Sequence, residues 1–392
     1  MKALLLGALA FGLVPAAHAR MDQDPAPAPA KLTPDRILAG IYRPWTGPLA
    51  EMGKKLKAGR DYVVWVHVPA QHPMDLRSSD RFRQWALATP VTELTISHNM
   101  IAFRCGNSEG ATGMTGSSNL QDAKYLLAGA GLSMFFAVYT DGHLNPESEV
   151  DAYVTKNLAK RGAVFGAFEV SAAQCDSLRV FLDDFVRHPN RPFERFSNVG
   201  DPEKFEGGGC VTFASALLKK AGLLETVIPK FFRDFYAARY LLGGNLGPHA
   251  DVEPPPTPWL HGKRRSISLN LFWENPWDYA PEDFPGYAHL RQMDPEKMLY
   301  ALKQIGLAAT SARRLAGTPL GTRVVTTANL VPTNSGSWAM EYEQTPIDDR
   351  FDGEMAAVGR AARDWVRARE REGYRVRAAS AVGMPVLLVE KE

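Results

Sequence analysis

One cysteine stands where a thiol could act as a nucleophile. Residues 207–214 read GGGCVTFA, and from Cys210 onward the apolar residues recur at the spacing of one helical face until Gly222. The pattern predicts a helix that begins at Cys210. The N–H groups of Cys210 and Val211 at such a helix start would favour a thiolate and could hold an oxyanion. The competing interpretation is a small buried core cysteine.

A nucleophilic thiol needs a base, and two histidines lie inside strand-like stretches. His67 and His98 both occupy the apolar-facing register of their stretch. We favour His98, because Ser97 and Asn99 flank it and a glycine-rich segment follows at 106–119. An imidazole on a core-facing strand beside the cysteine helix is the geometry of a thiol–imidazole pair. A satisfied core histidine is the competing interpretation for either residue.

Regular elements that could position this pair follow from periodicity and capping signals. Strands are predicted at 61–68, 93–105 and 163–170, with a loop at 106–119. The sequence Ser-Ala-Ala-Gln from Ser171 has the form of a capping box and predicts a helix to Arg187. The C-terminal part predicts helices and strands in the segments 295–305, 323–331, 337–343, 354–371 and 386–389.

The N-terminus has the form of a secretory signal peptide. Lys2 precedes an apolar run that ends at Val14, and Ala17-His18-Ala19 has the small-x-small form of a cleavage site. We expect a signal peptide at 1–19, a disordered Pro/Ala tether at 20–34, and a secreted or periplasmic protein. An uncleaved N-terminal anchor is the competing interpretation. No later stretch approaches the ~20 apolar residues of a transmembrane helix.

Composition and motifs exclude several function classes. The chain has 45 basic and 43 acidic side chains, so its near-neutral charge predicts no nucleic-acid partner. Metalloprotease, dinucleotide, Walker and serine-elbow motifs are absent, and His67 and His72 have a poor metal spacing across Pro69. We therefore expect neither a cofactor nor a metal ion.

Three cysteines in an exported chain leave at least one thiol free unless a second chain takes part. Cys105 closes a strand-like run, and Cys175 lies on the apolar face of the capped helix. A bridge between them would leave Cys210 as the odd thiol. The sequence does not decide this pairing.

The order of these parts resembles the circularly permuted NlpC/P60 superfamily of papain-like thiol enzymes, including the lecithin–retinol acyltransferase group. A strand histidine precedes a further strand, a helix, and a cysteine that opens a helix, and CVTFA at 210–214 is similar to the family's Asn-Cys-x-x-Phe-Ala. The resemblance implies Cys210 as nucleophile and His98 as base. Asp141, or less readily Asn99, would be the third polar residue. The chain departs from the family at Gly209, where asparagine is usual.

These observations predict an α+β fold: a papain-like core at 35–235, with an antiparallel sheet packed on the cysteine helix, and a C-terminal α/β extension at 236–392. The resemblance implies an exported cysteine-dependent hydrolase or acyltransferase. Its substrate partners would be amide or ester acyl groups of the cell envelope, in peptidoglycan peptides or lipids. The alternative is a non-catalytic envelope binding module with the same fold.

The cleavage site gives the first testable prediction. Protein recovered after export should begin at Arg20, because Ala17 and Ala19 occupy the small-residue positions that signal peptidase requires. N-terminal sequencing or intact mass measurement of the exported protein checks this. A native protein that retains Met1 would contradict it.

Overall fold

The computed structural model describes most of the chain from Leu32 onward. The described residues are 32–70, 84, 97–116, 138–158, 162–238, 252–253, 287–309, 324–332, 338–346 and 349–392. The predicted signal peptide lies outside these residues, as does the predicted tether except for its last three positions. The tether's last residue, Pro34, begins the first helix.

The fold is mixed α+β, with seven α-helices among the described residues. The helices are α1 (Pro34–Ile41), α2 (Gly47–Gly53), α3 (Glu147–Leu158), α4 (Ala172–Arg187), α5 (Cys210–Lys220), α6 (Pro295–Ala309) and α7 (Asp349–Arg371). The strands are β1 (Asp61–Val68), β2 (His98–Cys105), β3 (Ser108–Thr112), β4 (Met114–Thr115), β5 (Val138–Tyr139), β6 (His143–Leu144), β7 (Val164–Val170), β8 (Phe232–Ala238), β9 (Val252–Glu253), β10 (Tyr287–Met293), β11 (Val324–Pro332), β12 (Trp338–Pro346), β13 (Tyr374–Ala381) and β14 (Met384–Lys391).

Six strands form the central sheet in the order β13-β14-β7-β1-β2-β3. All neighbours are antiparallel except β14 and β7, which run parallel, so the sheet is mixed rather than antiparallel as predicted. The segment at 236–392 therefore contributes two strands to the same sheet as β1 and β2. Elsewhere β8 pairs with β10, and β11 pairs with β12.

The two faces of this sheet bury different sets of side chains. Odd-numbered residues of β1 and β2, such as Trp65 and Ile101, join the cluster that contains α4, α5 and α6 residues. Even-numbered residues, such as Val66 and Met100, join the cluster that contains α2 and α3 residues such as Val154. This alternation follows from the two-residue repeat of a strand. It decides which strand side chains face the cysteine helix.

Several predicted elements are confirmed, and one predicted loop is wrong. β1 has the predicted bounds, and the capping box of α4 forms between Ser171 and Gln174. The segment 106–119, predicted as a loop, contains β3 and β4. Gly106 makes the turn into β3 with a φ of 58°, and Gly110 allows the Phe103 ring to lie where a Cβ would stand. Both glycines serve a hairpin, which composition alone does not distinguish from a loop.

A disulfide joins the end of β2 to the first turn of α4. Cys105 and Cys175 are bonded across a separation of 70 residues, with their Cα atoms 5.6 Å apart. Both side chains are buried beneath the face that also carries α5. Cys210 is the remaining cysteine and is free. The pairing that the sequence left open is therefore formed.

Removing this disulfide should destabilise the protein. The double substitution Cys105→Ala and Cys175→Ala should lower the free energy of unfolding by about 2–5 kcal/mol, because the unfolded chain loses a closed loop and the core loses two sulfur atoms. Urea denaturation of the wild type and the variant, both without reductant, measures the difference. Cys210→Ala is the matched control and should cost less, since its thiol crosslinks nothing. Equal stability of the double variant and the wild type would contradict the prediction.

Candidate functional site

The free thiol lies at the first residue of α5, as the sequence predicts. Gly209 is the N-cap residue, and its N–H donates to Thr212 Oγ1 at 2.8 Å. The preceding Gly208 forms a parallel bridge with Phe196, which fixes the entry of the chain into the helix. Cys210 is only 9% exposed. The helix start therefore holds the thiol inside the protein rather than on its surface.

The thiol packs against the backbone at the start of β2. Cys210 Sγ lies 3.8 Å from the carbonyl oxygen of Ser97, to which it donates. Burial raises the pKa of the thiol to about 11, although backbone N–H groups of Asn99, Val211 and Cys210 itself act in the opposite direction. The predicted donors of Cys210 and Val211 thus lie at the sulfur. In the unliganded protein, however, desolvation dominates, and the group is a neutral thiol at physiological pH.

His98 lies beside this backbone, but its side chain is on the other side of the sheet. Its ring packs on Tyr153 of α3, with ring centroids 5.0 Å apart. Cys210 belongs to the core cluster on the face of Trp65 and Ile101. The structure therefore does not bring the His98 imidazole together with the thiol as predicted. The physical reason is strand alternation, since an even-numbered residue of β2 faces away from α5.

The histidine on the thiol side is His67, which forms a buried polar pair with Asn99. Its Nδ1 lies 2.9 Å from Asn99 Oδ1, and the two residues are direct partners in the β1–β2 register. Trp65 Nε1 donates to the same oxygen at 2.9 Å. His67 and Asn99 are both completely buried. Asn99 thus connects the thiol, through its backbone N–H, with the imidazole, through its side chain.

These contacts determine the tautomer of His67. An indole N–H can only donate, so the Asn99 atom that faces Trp65 must be the oxygen. The same oxygen can only accept from His67, so Nδ1 carries the proton and Nε2 carries a lone pair. Burial, with nearby Lys303 and His98, lowers the pKa of His67 to about 4 against the effect of the Asn99 contact. His67 is therefore a neutral imidazole whose Nε2 can accept a proton.

Two buried polar atoms of this pair have no hydrogen-bond partner among the described residues. They are His67 Nε2, an acceptor, and Asn99 Nδ2, a donor. An unpaired buried polar group costs about 1–3 kcal/mol, so folding alone does not favour it. A substrate would satisfy both atoms if its carbonyl oxygen accepted from Asn99 Nδ2 and an N–H or O–H group donated to His67 Nε2.

Ser97 connects the site to α6. Its Oγ donates to Glu296 Oε1 at 2.7 Å and accepts from the N–H of Ala70 at 3.0 Å. Burial raises the pKa of the Glu296 carboxyl against the effect of the Ser97 hydrogen bond. Ser97, whose carbonyl oxygen accepts from the thiol, is therefore hydrogen-bonded both to the segment that follows β1 and to α6.

Asp141, the predicted third residue, is exposed in the turn between β5 and β6. The side chain that orients a histidine is instead Asn99, which the sequence offered only as the less favoured candidate. The sequence did contain a signal for His67: it lies two residues after Trp65, so both side chains point to the same face of β1. The pairing of His67 with Asn99 required the β1–β2 register, which the sequence does not give.

Comparison with protein-family models, with curated proteins and with solved structures finds no match. Within the described part of the chain, no group of three or more His, Cys, Asp and Glu side chains is arranged to hold a metal ion. Nor does any described helix combine the length and hydropathy needed to cross a membrane.

The buried imidazole should make the fold sensitive to acid. The pKa of His67 is lower in the folded state, about 4, than the ordinary value of 6.5, so only the unfolded chain binds this proton between those values. Stability should therefore fall as the pH drops from about 6.5 to 4, by on the order of 3 kcal/mol in total, and His67 should contribute no further loss below pH 4.

Urea unfolding of wild type and His67→Gln across this pH range measures the effect. The variant should lose less stability than the wild type on acidification, because glutamine does not titrate. His98→Gln is the matched control and should retain the acid sensitivity, since its ring is not fully buried. Parallel pH profiles for wild type and His67→Gln would contradict the assignment.

Proposed function

We propose that this chain is an exported thiol hydrolase or acyltransferase that acts on acyl groups of the cell envelope, with Cys210 as nucleophile, His67 as base and Asn99 as the orienting residue. The observation that carries the proposal is the unpartnered Nε2 of a buried, Asn-oriented imidazole on the same face of the sheet as the free helix-start thiol. A papain-like core, suggested by the order of the elements, is part of this proposal.

In the proposed reaction the Cys210 thiol, the His67 imidazole, the helix-start N–H groups and the Asn99 amide each have one role. Cys210 Sγ forms a bond to the acyl carbon of an amide or ester while its proton passes to His67 Nε2. The N–H groups of Cys210 and Val211 stabilise the oxyanion. The imidazolium then gives the proton to the leaving amine or alkoxide, and the remaining thioester is resolved by water or by another acceptor. Asn99 Oδ1 keeps Nδ1–H in place throughout.

The pKa values argue that the resting pair is neutral. A thiol at about 11 and an imidazole at about 4 do not exchange a proton spontaneously at neutral pH. Proton transfer would therefore occur together with attack on the substrate, whose developing oxyanion receives the N–H donors. A bound substrate would also satisfy Asn99 Nδ2.

The disulfide supports the compartment in this proposal. Disulfide bonds such as Cys105–Cys175 form in oxidising environments, for example the periplasm or the cell exterior, and are rare in the cytosol. The predicted signal peptide points to the same compartment. Peptidoglycan peptides and envelope lipids supply amide and ester acyl groups there.

A second candidate function is a non-catalytic envelope binding module. The observation that favours it is the thiol itself, which is buried, donates to the Ser97 carbonyl oxygen and has a pKa raised by desolvation. A cysteine in this state is a stable core residue when no substrate enters.

Substitutions at the site separate the two functions. Cys210→Ala should abolish turnover of peptidoglycan fragments or acyl esters, and His67→Gln should lower kcat/KM by about 10²–10⁴, the usual contribution of a general base. His98→Gln is the matched control, because its ring faces α3, and should retain turnover. Near-UV circular dichroism of each variant verifies the fold.

Turnover by Cys210→Ala on every substrate of the wild type would overturn the thiol mechanism. Loss of turnover in His98→Gln but not in His67→Gln would overturn the assignment of the base. A wild type that binds peptidoglycan without turning over any amide or ester, with Cys210→Ala binding equally well, would establish the binding module.

A further inference from the structure

The Cys210 sulfur contacts two backbone groups of one short segment, and these groups have opposite effects on it. The carbonyl oxygen of Ser97 accepts from the thiol at 3.8 Å, a contact that requires the sulfur to keep its proton. The N–H of Asn99 acts in the other direction and favours the thiolate. The position of residues 97–99 at the start of α5 therefore sets the balance between thiol and thiolate.

The two ends of this segment are held by different parts of the protein. Asn99 lies within β2, and its side chain is hydrogen-bonded to Trp65 and His67 of β1. Ser97 precedes β2, and its hydroxyl donates to Glu296 Oε1 at 2.7 Å. The central sheet thus positions the group that favours the thiolate, whereas α6 holds the residue whose carbonyl favours the thiol.

Glu296 is itself fixed in the first turn of α6. Asp294 precedes Pro295, the first residue of the helix, and Asp294 Oδ1 accepts from the Glu296 N–H at 2.8 Å. This is the contact of a helix N-cap. Asp294 Oδ2 accepts in turn from Arg233 Nε of β8 at 2.6 Å, and both of these side chains are buried. The carboxylate that receives the Ser97 hydroxyl is therefore anchored independently of Ser97.

We propose that Glu296 is a positioning residue that holds the Cys210 thiol in its protonated, unreactive state by acting through Ser97. The carboxylate fixes the Ser97 hydroxyl, the carbonyl of the same residue keeps its place at the sulfur, and the S–H bond stays directed at that oxygen. Loss of the carboxylate leaves the hydroxyl without its acceptor and frees the carbonyl to move. The Asn99 N–H then has the stronger effect on the sulfur.

This role concerns the resting protein and holds for either function proposed above. Its consequence for catalysis rests on the proposed thiol mechanism. There the S–H bond must turn from the Ser97 oxygen to His67 Nε2 before the proton can be transferred, so Glu296 sets the state from which that step begins.

The infrared S–H stretching band tests the contact directly. Cys105 and Cys175 are bonded to each other, so Cys210 supplies the one S–H group of the chain. A hydrogen-bonded S–H group absorbs at a lower frequency than a free one, because sharing the proton weakens the S–H bond. Glu296→Ala should therefore raise the frequency. Glu296→Gln keeps an oxygen for the Ser97 hydroxyl and should retain the wild-type band. Subtraction of the Cys210→Ala spectrum isolates the signal.

Alkylation of the full chain by iodoacetamide measures the effect on reactivity. Glu296→Ala should react about threefold to tenfold faster than the wild type, the effect of about one hydrogen bond. Ser97→Ala should react faster to a similar extent, and the double variant no faster than either single one, because both changes remove the same contact. Gln304→Ala is the matched control on α6. It removes a hydrogen bond from Arg363, away from the thiol, and should leave the rate unchanged.

Several results would overturn the proposal. One is a Glu296→Ala band at the wild-type frequency, and another is an equal change in Gln304→Ala or Glu296→Gln. Additive effects of Ser97→Ala and Glu296→Ala would show that the carboxylate does not act through Ser97. Rates that simply follow each variant's free energy of unfolding in urea would show that the thiol reacts only after unfolding, and would also overturn it. No measurement needs a substrate, so the outcome stands even if the wild type turns over neither amides nor esters.

Discussion

The alternation of side chains along β1 and β2 is the constraint on which the site depends. Successive residues of a strand face opposite sides of the sheet. His98 pairs with Val68, the residue after His67, so the two histidine side chains lie on opposite faces. With Val68 opposite His98 and His67 opposite Asn99, the two histidines separate, one toward α3 and one toward α5. A shift of the register by one residue would place His67 opposite a different residue.

Asn99 contacts all the other groups of the site. Its side-chain oxygen Oδ1 accepts from both Trp65 and His67, and its backbone N–H lies at the thiol. The indole fixes the orientation of the amide, the amide fixes the tautomer of the imidazole, and the tautomer leaves a lone pair at Nε2. The position of the Trp65 indole therefore determines, through Asn99, which ring nitrogen of His67 carries the proton.

Local sequence signals predicted the elements well, and long-range pairing limited the rest. The bounds of β1, the capping box at Ser171 and the helix start at Cys210 each follow from residues close in sequence. The sequence favoured His98 as the base, whereas the structure packs the His98 ring on Tyr153, on the sheet face opposite the thiol. His67 and His98 both lie in apolar-facing register, and only the position of α5 on the odd-numbered face distinguishes them. Likewise β13, whose side chains are mostly exposed or half-buried, carries a weak pattern and gains its place from pairing with β14.

The position of β14 inside the sheet bears on when the protein can fold. This strand lies between β13 and β7, and its residue Val386 pairs with Phe165, more than two hundred positions earlier in the chain. Until residues 384–391 are available, β7 has an open edge and the two cores on either side of the sheet lack a wall. Pairings of such long range form slowly because a large loop must first close. The central sheet of such a chain is complete only when its last strand has paired.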